Sequence, residues 1–490
     1  MFRAFVTIGV LQLITMLLQV VRTKTLAVLL GSEWIGVMGA VDRLLAVIAQ
    51  TASLSFPFAA VRFLPRLWTT SPVEFRRVFS GMRNVLWIAA TVATLGALAV
   101  TLLSPHWWGR ELVPYRTVVL AATATLPALI VIPFMQNALA GRLLERRAMT
   151  VTLTNGALLA VAAIVGAWWK GLVGFYALYA VFGFVLIFVV ARGINRGIPE
   201  ATPSAKPALA VPASIWRFSG VILALAFLTP YAALFVYYRV LSEEGARVAG
   251  WMQAAIGLSL IVRVGLGSAH GVFLIPNVNS EMSAHERVSW AYRFQSVLSM
   301  IAAVSVPLLV LFPDVFVRLL YSADLAPGAR YAGLFVLAEF VWLTAASCQP
   351  LILAFDHLGF HVVQNAAVQL VLVAIAAVAI PHFGVVGAGV ANLVANATLY
   401  VSTLVFLRVR YGERFPRRVG ALTAFVIASI SIAAAIGVWQ PTVSWQSIAM
   451  KLGVYVSLVA CLIPFLSRDE RDQLGQLRAR LRTRLQVAGQ

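Results

Sequence analysis

Charge is scarce in this sequence, and negative charge scarcer still. Only 11% of the 490 residues are charged, and 18 acids stand against 38 Lys and Arg. Apolar residues make up 61%. A water-soluble chain of this length could not hide so much apolar surface, because it needs polar residues to cover its outside. Cysteine is nearly absent. Cys348 and Cys461 both sit inside apolar runs, which excludes a disulfide framework and a paired-cysteine metal site. The six histidines, His106, His270, His285, His357, His361 and His382, are scattered and show no metal-binding spacing. Neither a catalytic motif nor a cofactor fingerprint is present, so the expectation is a chain that is not an enzyme and holds no cofactor. The excess of 20 positive charges is no nucleic-acid signal, because the basic residues lie in short segments between apolar runs, not in one stripe or arm.

Apolar runs are what the sequence does have. A membrane span needs about twenty such residues. Fourteen runs qualify, at roughly 4–30, 34–62, 84–104, 115–140, 150–169, 171–191, 214–239, 247–275, 291–312, 330–354, 361–381, 384–407, 419–438 and 447–466. They are continuous and lack the two-residue alternation of membrane barrels, so the expected class is an all-α polytopic membrane protein. The first run has no small-residue cleavage site after a short apolar core and reads as a retained helix, not a signal peptide.

Lys and Arg set the orientation. Alternating spans place 26 of the 38 on the side that holds the N-terminus, among them Arg62, Arg66, Arg76, Arg77, Arg83, Arg408 and Arg410. Eight fall on the other side: Arg110, Arg116, Lys170, Arg239, Arg247, Arg318, Arg330 and Lys451. This bias predicts a bacterial inner-membrane protein with both termini in the cytoplasm. After Ser467, Leu474, Leu477, Leu481 and Leu485 share one helical face flanked by Arg478, Arg480, Arg482 and Arg484. That pattern suits a surface helix on anionic lipid, or else a solvated tail.

The sequence repeats itself. Gly31, Gly36, Met38 and Ala40 align without gaps on Gly245, Gly250, Met252 and Ala254, and Gly171-Leu-Val-Gly174 aligns on Gly384-Val-Val-Gly387. Both anchors have nearly one offset, which equals six spans. An even number preserves orientation, so the halves form a parallel repeat about an axis along the membrane normal. The expected organisation is an N-terminal six-helix bundle at 1–194, a proline-rich cytoplasmic linker at 195–213 and a C-terminal six-helix bundle at 214–410. Two further transmembrane helices follow at 411–466, then a basic amphipathic tail at 467–490.

A charge deep in a span is costly, and so a functional candidate. These are Arg22 and Lys24 in span 1, Asp42 and Arg43 in span 2, Arg263 in span 8 and Glu339 in span 10. From their distances to Gly31 and Gly36, Arg22, Asp42 and Arg43 sit about 10–13 Å below the far end at ~1.5 Å per residue, which lets Arg22 meet Asp42 across the hairpin. Four cations against two acids predict a cationic interior that attracts an anionic group, and the arginine fork suits phosphate. Arg22, Lys24, Arg43 and Arg263 are the candidate diphosphate-binding residues. Arg263 leads, because no acid in its own span pairs with it. Asp42 and Glu339 are candidate coupling acids. Lys24 has a simpler alternative in reaching for the surface, and Asp42 in neutralising a neighbouring arginine. Gln349, Gln364, Asn365, Asn392 and Asn396 either line a cavity or bond between helices.

These residues carry a resemblance. Arg22-Thr-Lys-Thr-Leu-Ala-Val-Leu-Leu-Gly31 with Gly36 and Arg62 comes first, then Phe218-Ser-Gly220 and Gly250-Trp-Met-Gln-Ala254. Phe383-Gly-Val-Val-Gly-Ala-Gly-Val-Ala-Asn392 comes last. In order and spacing they resemble the polysaccharide-transporter branch of the multidrug/oligosaccharidyl-lipid/polysaccharide (MOP) exporter superfamily, over residues 1–410. The resemblance implies two six-helix bundles in a V, alternating access, and undecaprenyl-diphosphate-linked oligosaccharide as cargo for O-antigen or exopolysaccharide. It also implies membrane lipids and a polysaccharide polymerase complex as partners. Two relatives compete. Lipid II flippases share fourteen spans and an arginine near Arg22, but this chain has Phe63-Leu-Pro-Arg66 where they have a Gly-Glu-Gly-Ala-like stretch. Drug/cation antiporters usually have twelve spans. The rival of another class is a membrane polysaccharide polymerase or ligase. Such proteins resemble chains with a large periplasmic loop, whereas the longest here, 313–329, is short.

Overall fold

A computed structural model of the chain describes residues 2–142, 144–195, 211–270, 274, 278, 282–439 and 444–465. Most of the linker and the whole basic tail lie outside the described residues. So does the start of the loop after span 8.

Among the described residues there are helices and turns but no strand. Nine helical runs are long and apolar enough to cross a membrane, and a bent pair, Arg110–Thr123 with Leu126–Gly141, makes a tenth. Several runs are too long for one crossing. Leu358–Tyr411 has 54 residues, about 80 Å at ~1.5 Å per residue against a hydrocarbon core of ~30 Å. Four runs break at a residue with positive φ: Gly31, Gly171, Gly245 and Gly384. Dividing those four runs at their breaks gives fourteen span-length segments among the described residues.

The repeat is visible in the backbone itself. Gly31 (φ 83°, ψ −179°) and Gly245 (φ 83°, ψ 171°) share one conformation, and Gly171 (φ 60°, ψ −141°) and Gly384 (φ 52°, ψ −129°) share another. Residues with a Cβ rarely adopt either. The second pair closes tight hairpins: a Cβ built on Gly174 would lie 2.1 Å from Gly166 O, and one on Gly387 would lie 2.4 Å from Ala379 O. In a straight helix those residues would stand about 12 Å apart.

Span 2 departs from the continuous 34–62 helix expected. It runs from 32 to 52, turns at Leu54 (φ 51°) and Ser55 (φ 57°), and resumes as Phe56–Thr70. Span 4 is bent by 41° before Leu126–Gly141, there without a left-handed residue. In both, proline is the second residue of the new helix (Pro57, Pro127). It lacks the N–H and its ring collides with the preceding turn. Asn137 Nδ2 donates to Pro57 O at 2.9 Å, which ties span 4 to the start of the resumed helix.

The halves meet through small residues at one end. A Cβ on Gly36 would come 1.9 Å from Ala246 O, and one on Gly250 would come 2.0 Å from Ser32 O. Ser32 and Ala246 are themselves repeat mates, so the crossing is two-fold symmetric. Close helix approach through glycine is what lipid-embedded packing favours. The Tyr237 hydroxyl donates across this crossing, 3.0 Å from Gly36 O and 3.1 Å from Ala249 O. Asp324 bridges the halves outside it, accepting from Ser32 N (2.7 Å) and Arg247 Nη2 (3.2 Å). The molecule is therefore closed on the side opposite the N-terminus. On the arginine-rich side the halves touch through Phe56 with Trp216 and Phe63 with Phe218, and a cavity lies between them.

Candidate functional site

The gap between the halves is a cavity of about 1220 Å³. Its walls are largely apolar: Phe58 and Val61 from span 2; Phe218, Ile222 and Leu225 from span 7; Leu353 and Leu358 near spans 10 and 11. Arg62 stands at its mouth, with its guanidinium 4.8 Å from the Phe218 ring centre. Asp356 and His361 line it too. Two smaller chambers open from its inner end, one in each half.

The N-terminal chamber, about 410 Å³, contains Arg22 and Asp42. Arg22 Nη2 lies 3.7 Å from Asp42 Oδ2, so the two meet across the first hairpin. The Tyr176 hydroxyl donates to Asp42 Oδ1 at 2.7 Å. The C-terminal chamber, about 390 Å³, contains Arg263 and Glu339. Both Arg263 Nε and Nη2 donate to the Glu339 carboxylate, and the guanidinium lies 4.3 Å from the Trp342 ring centre. Arg263 was singled out because its own span offers no acid. Span 10 supplies one, so Arg263 is not an uncompensated cation.

Arg43 takes that place. It lines both the central cavity and the C-terminal chamber. Its Nη1 donates to Gly39 O (2.8 Å) and Gln253 Oε1 (2.9 Å), and its guanidinium lies 4.0 Å from the Tyr237 ring centre. It makes no ion pair within 4 Å among the described residues, and its Nε and Nη2 have no protein acceptor there. Lys24 is not brought to the cavities. Its Nζ donates to Leu319 O at 2.5 Å on the closed side, the surface-seeking alternative. Of the six sequence-chosen charges, five surround one connected space, and one faces away.

Several contributors escaped the sequence reading. Tyr176, Tyr237, Gln253 and Trp342 are neutral, and nothing in a membrane sequence separates a lining Tyr or Trp from a packed one. Gln253 had one clue, because it stands inside the repeat segment Gly250-Trp-Met-Gln-Ala254 where the first half has Gly39. Among the late-span amides, Gln349, Asn365, Asn392 and Asn396 line the C-terminal chamber, whereas Gln364 bonds to Leu399 O, Ser402 and Thr403. No three His, Cys, Asp or Glu side chains come together as a metal site among the described residues.

No family model and no curated protein matches the sequence. Solved structures do match the fold. A structure of the lipid II flippase MurJ, in an inward closed conformation, superposes with a TM-score of 0.71 at 11% identity, covering 97% of this chain and all of that one. An inward-facing multidrug resistance transporter of the MATE family in the MOP superfamily gives 0.63 at 15% identity, over 84% of this chain and 96% of the other. The chain shares the fold of these transporters. A MOP superfamily transporter of Pyrococcus furiosus, described by a binding pocket of reverse polarity, gives 0.57 at 13% identity over 86% and 96%.

The Arg263–Glu339 pair makes a stability prediction. Removing one partner of a buried pair costs about 3–5 kcal/mol, with the lower end expected here because the Arg263 side chain is 42% exposed. Glu339→Leu with Arg263→Met should recover most of that loss. Thermal unfolding in detergent checks it: single variants as stable as wild type would show the pair to be solvated.

Proposed function

We propose that this chain is an alternating-access flippase for undecaprenyl-diphosphate-linked oligosaccharide in O-antigen or exopolysaccharide assembly, working in the bacterial inner membrane with both termini cytoplasmic. Arg43 carries the reading. A cation deep in the membrane, with no acid within 4 Å among the described residues and with unused donors, costs several kcal/mol unless something anionic visits it. A diphosphate cannot cross hydrocarbon unaided and supplies the acceptors that an arginine fork needs.

The cavity opens on the arginine-rich side, the cytoplasmic side by charge bias. Cargo enters there past Arg62, and its diphosphate reaches Arg43 while the sugars occupy the amide-lined C-terminal chamber. Arg22 and Arg263 supply further phosphate contacts once their pairs with Asp42 and Glu339 open. Protonation of those acids would free the arginines and couple transport to a proton gradient. Rocking then parts Gly36 from Gly250 and releases the cargo outside, where a polysaccharide polymerase complex receives it.

The lipid II flippase structure matches all of its own length and extends over nearly all of this chain, whereas the multidrug transporter covers less. That difference supports a lipid-linked cargo over a soluble drug, and it keeps lipid II as the second reading. The two are separated by leaflet analysis in a strain lacking this protein. An impermeant glycosidase on spheroplasts should leave accumulated repeat units uncut, while peptidoglycan synthesis continues. Units exposed outside but unpolymerised would refute the flippase reading and favour a polymerase or ligase.

A further inference from the structure

The segments that cover the closed side repeat as the spans do. In each half a short loop joins the third span to the fourth. It is Pro105–Trp108 with Arg110–Tyr115 in the N-terminal half, and Pro313–Leu320 with Ala323–Gly328 in the C-terminal half. Each loop reaches the first span of the opposite half, and at equivalent positions. Lys24 and Tyr238 both stand seven residues before the glycine at the end of their span, Gly31 and Gly245. Lys24 Nζ donates to Leu319 O at 2.5 Å. Tyr238 lies against Gly109, where a Cβ would come 2.6 Å from Tyr238 Cε1.

The two contacts differ in kind. Tyr238 on Gly109 is a ring against backbone, whereas Lys24 brings a charged donor to a carbonyl, the stronger class of hydrogen bond. The loop 313–328 is also rooted in its own half. Trp251 Nε1 donates to Asp324 O at 3.1 Å, and Arg247 Nη2 donates to the Asp324 carboxylate at 3.2 Å. Tyr321 is buried, and its hydroxyl fills the space beside Gly257 that a side chain would need. The same loop grips the N-terminal half through Lys24 and through Ser32 N, which donates to Asp324 Oδ2 at 2.7 Å. When the halves separate on this side, the loop has firm anchors on one half and two hydrogen bonds to break on the other.

We propose that the loop 313–328 is the latch of the outer gate, carried by the C-terminal half and fastened to the N-terminal half by Lys24. Opening breaks the Lys24 and Ser32 bonds, while the loop stays seated on Trp251 and Gly257. The loop 105–115 is its weaker counterpart, closing on Tyr238. Lys24, which faces away from the cavities, thereby has a role on the exit side. The latch rests on alternating access but not on which cargo passes.

The test is the reactivity of a cysteine at Ala249 toward an impermeant thiol reagent added outside right-side-out membrane vesicles, in the full chain with Cys348 and Cys461 replaced by alanine. Ala249 is fully buried beside the closed crossing. Lys24→Met keeps the length of the side chain and removes the donor, and should raise the reactivity about tenfold or more. Asp324→Asn, which weakens the grip on Ser32 N, should raise it about threefold and serves as the readout if Lys24→Met does not fold. Tyr238→Ala should raise it less than Lys24→Met, and the two together should multiply, because the two clasps share no residue. A cysteine at Ala376, equally buried but within the C-terminal half, should stay protected in every variant. Protection of Ala249 unchanged by Lys24→Met and Asp324→Asn, while Gly36→Val removes it, would overturn the latch and leave alternating access standing. Protection unchanged in all three would overturn both. Exposure of Ala376 whenever Ala249 is exposed would reduce the loop to a support of the fold and overturn the latch.

Discussion

Arg43→Ala should abolish transport in a protein that still folds. Truncating one member of a desolvated, hydrogen-bonded charge contact costs about 2–5 kcal/mol, a loss of at least about thirtyfold in cargo affinity. The fold should tolerate the change because Arg43 makes no ion pair within 4 Å among the described residues: its contacts are one backbone carbonyl, Gln253 and the Tyr237 ring. Arg43→Lys keeps the charge but not the fork, so it should recover only part of the activity. The measurements are the rate of flipping of a fluorescent lipid-diphosphate glycan in proteoliposomes and the melting temperature in detergent. Wild-type flipping by Arg43→Ala would end the diphosphate reading. A lowered melting temperature with equally lowered flipping in every Arg43 variant would reassign the residue to structure.

Gly36→Val should lock the protein open on the side that is now closed. Even the first carbon of a side chain at Gly36 would fall 1.9 Å from Ala246 O, and the obstacle is backbone that cannot swing aside. The strain is relieved only by parting the halves, the same movement that alternating access requires. Overpacking costs about 1–3 kcal/mol, occasionally more. A difference of that size shifts a two-state equilibrium about 5–150-fold. Ala249 is fully buried in the closed state beside Tyr237. A cysteine there, with Cys348 and Cys461 replaced by alanine, should be protected from an impermeant thiol reagent and become at least about tenfold more reactive with Gly36→Val. Flipping should stop. Gly250→Val should behave alike, since its repeat-related partner is Ser32 O. Unchanged reactivity in both would mean that this crossing does not gate the cavity.

The candidate site was legible in the sequence to different depths. Arg22 and Asp42 lie on adjacent spans joined by one glycine, so counting residues from Gly31 and Gly36 put them at one level, and they pair at 3.7 Å. Arg263 and Glu339 are separated by 76 residues and by the whole of span 9. Depth along a span is local information, but which face of span 8 looks at which face of span 10 is not. The sequence showed that no acid in its own span pairs with Arg263, but not that Glu339 of span 10 does. Arg43 and Asp42 are neighbours in sequence, but successive helical residues point about 100° apart, so Asp42 turns to Arg22 and Tyr176 while Arg43 turns to Tyr237 and Gln253.

By itself the sequence determined that this is an all-helical membrane protein and that its halves repeat in parallel. Each depends on a local quantity: apolar run length, or a glycine where the backbone must take a positive φ at the same place in both halves. Only the tertiary structure decided which charges are cancelled and which remain, because that depends on the rotation of each span about its axis and on its neighbour across the bundle. Rotation is set by packing, here by the glycine crossing of Gly36 with Gly250, and no property of one segment contains it.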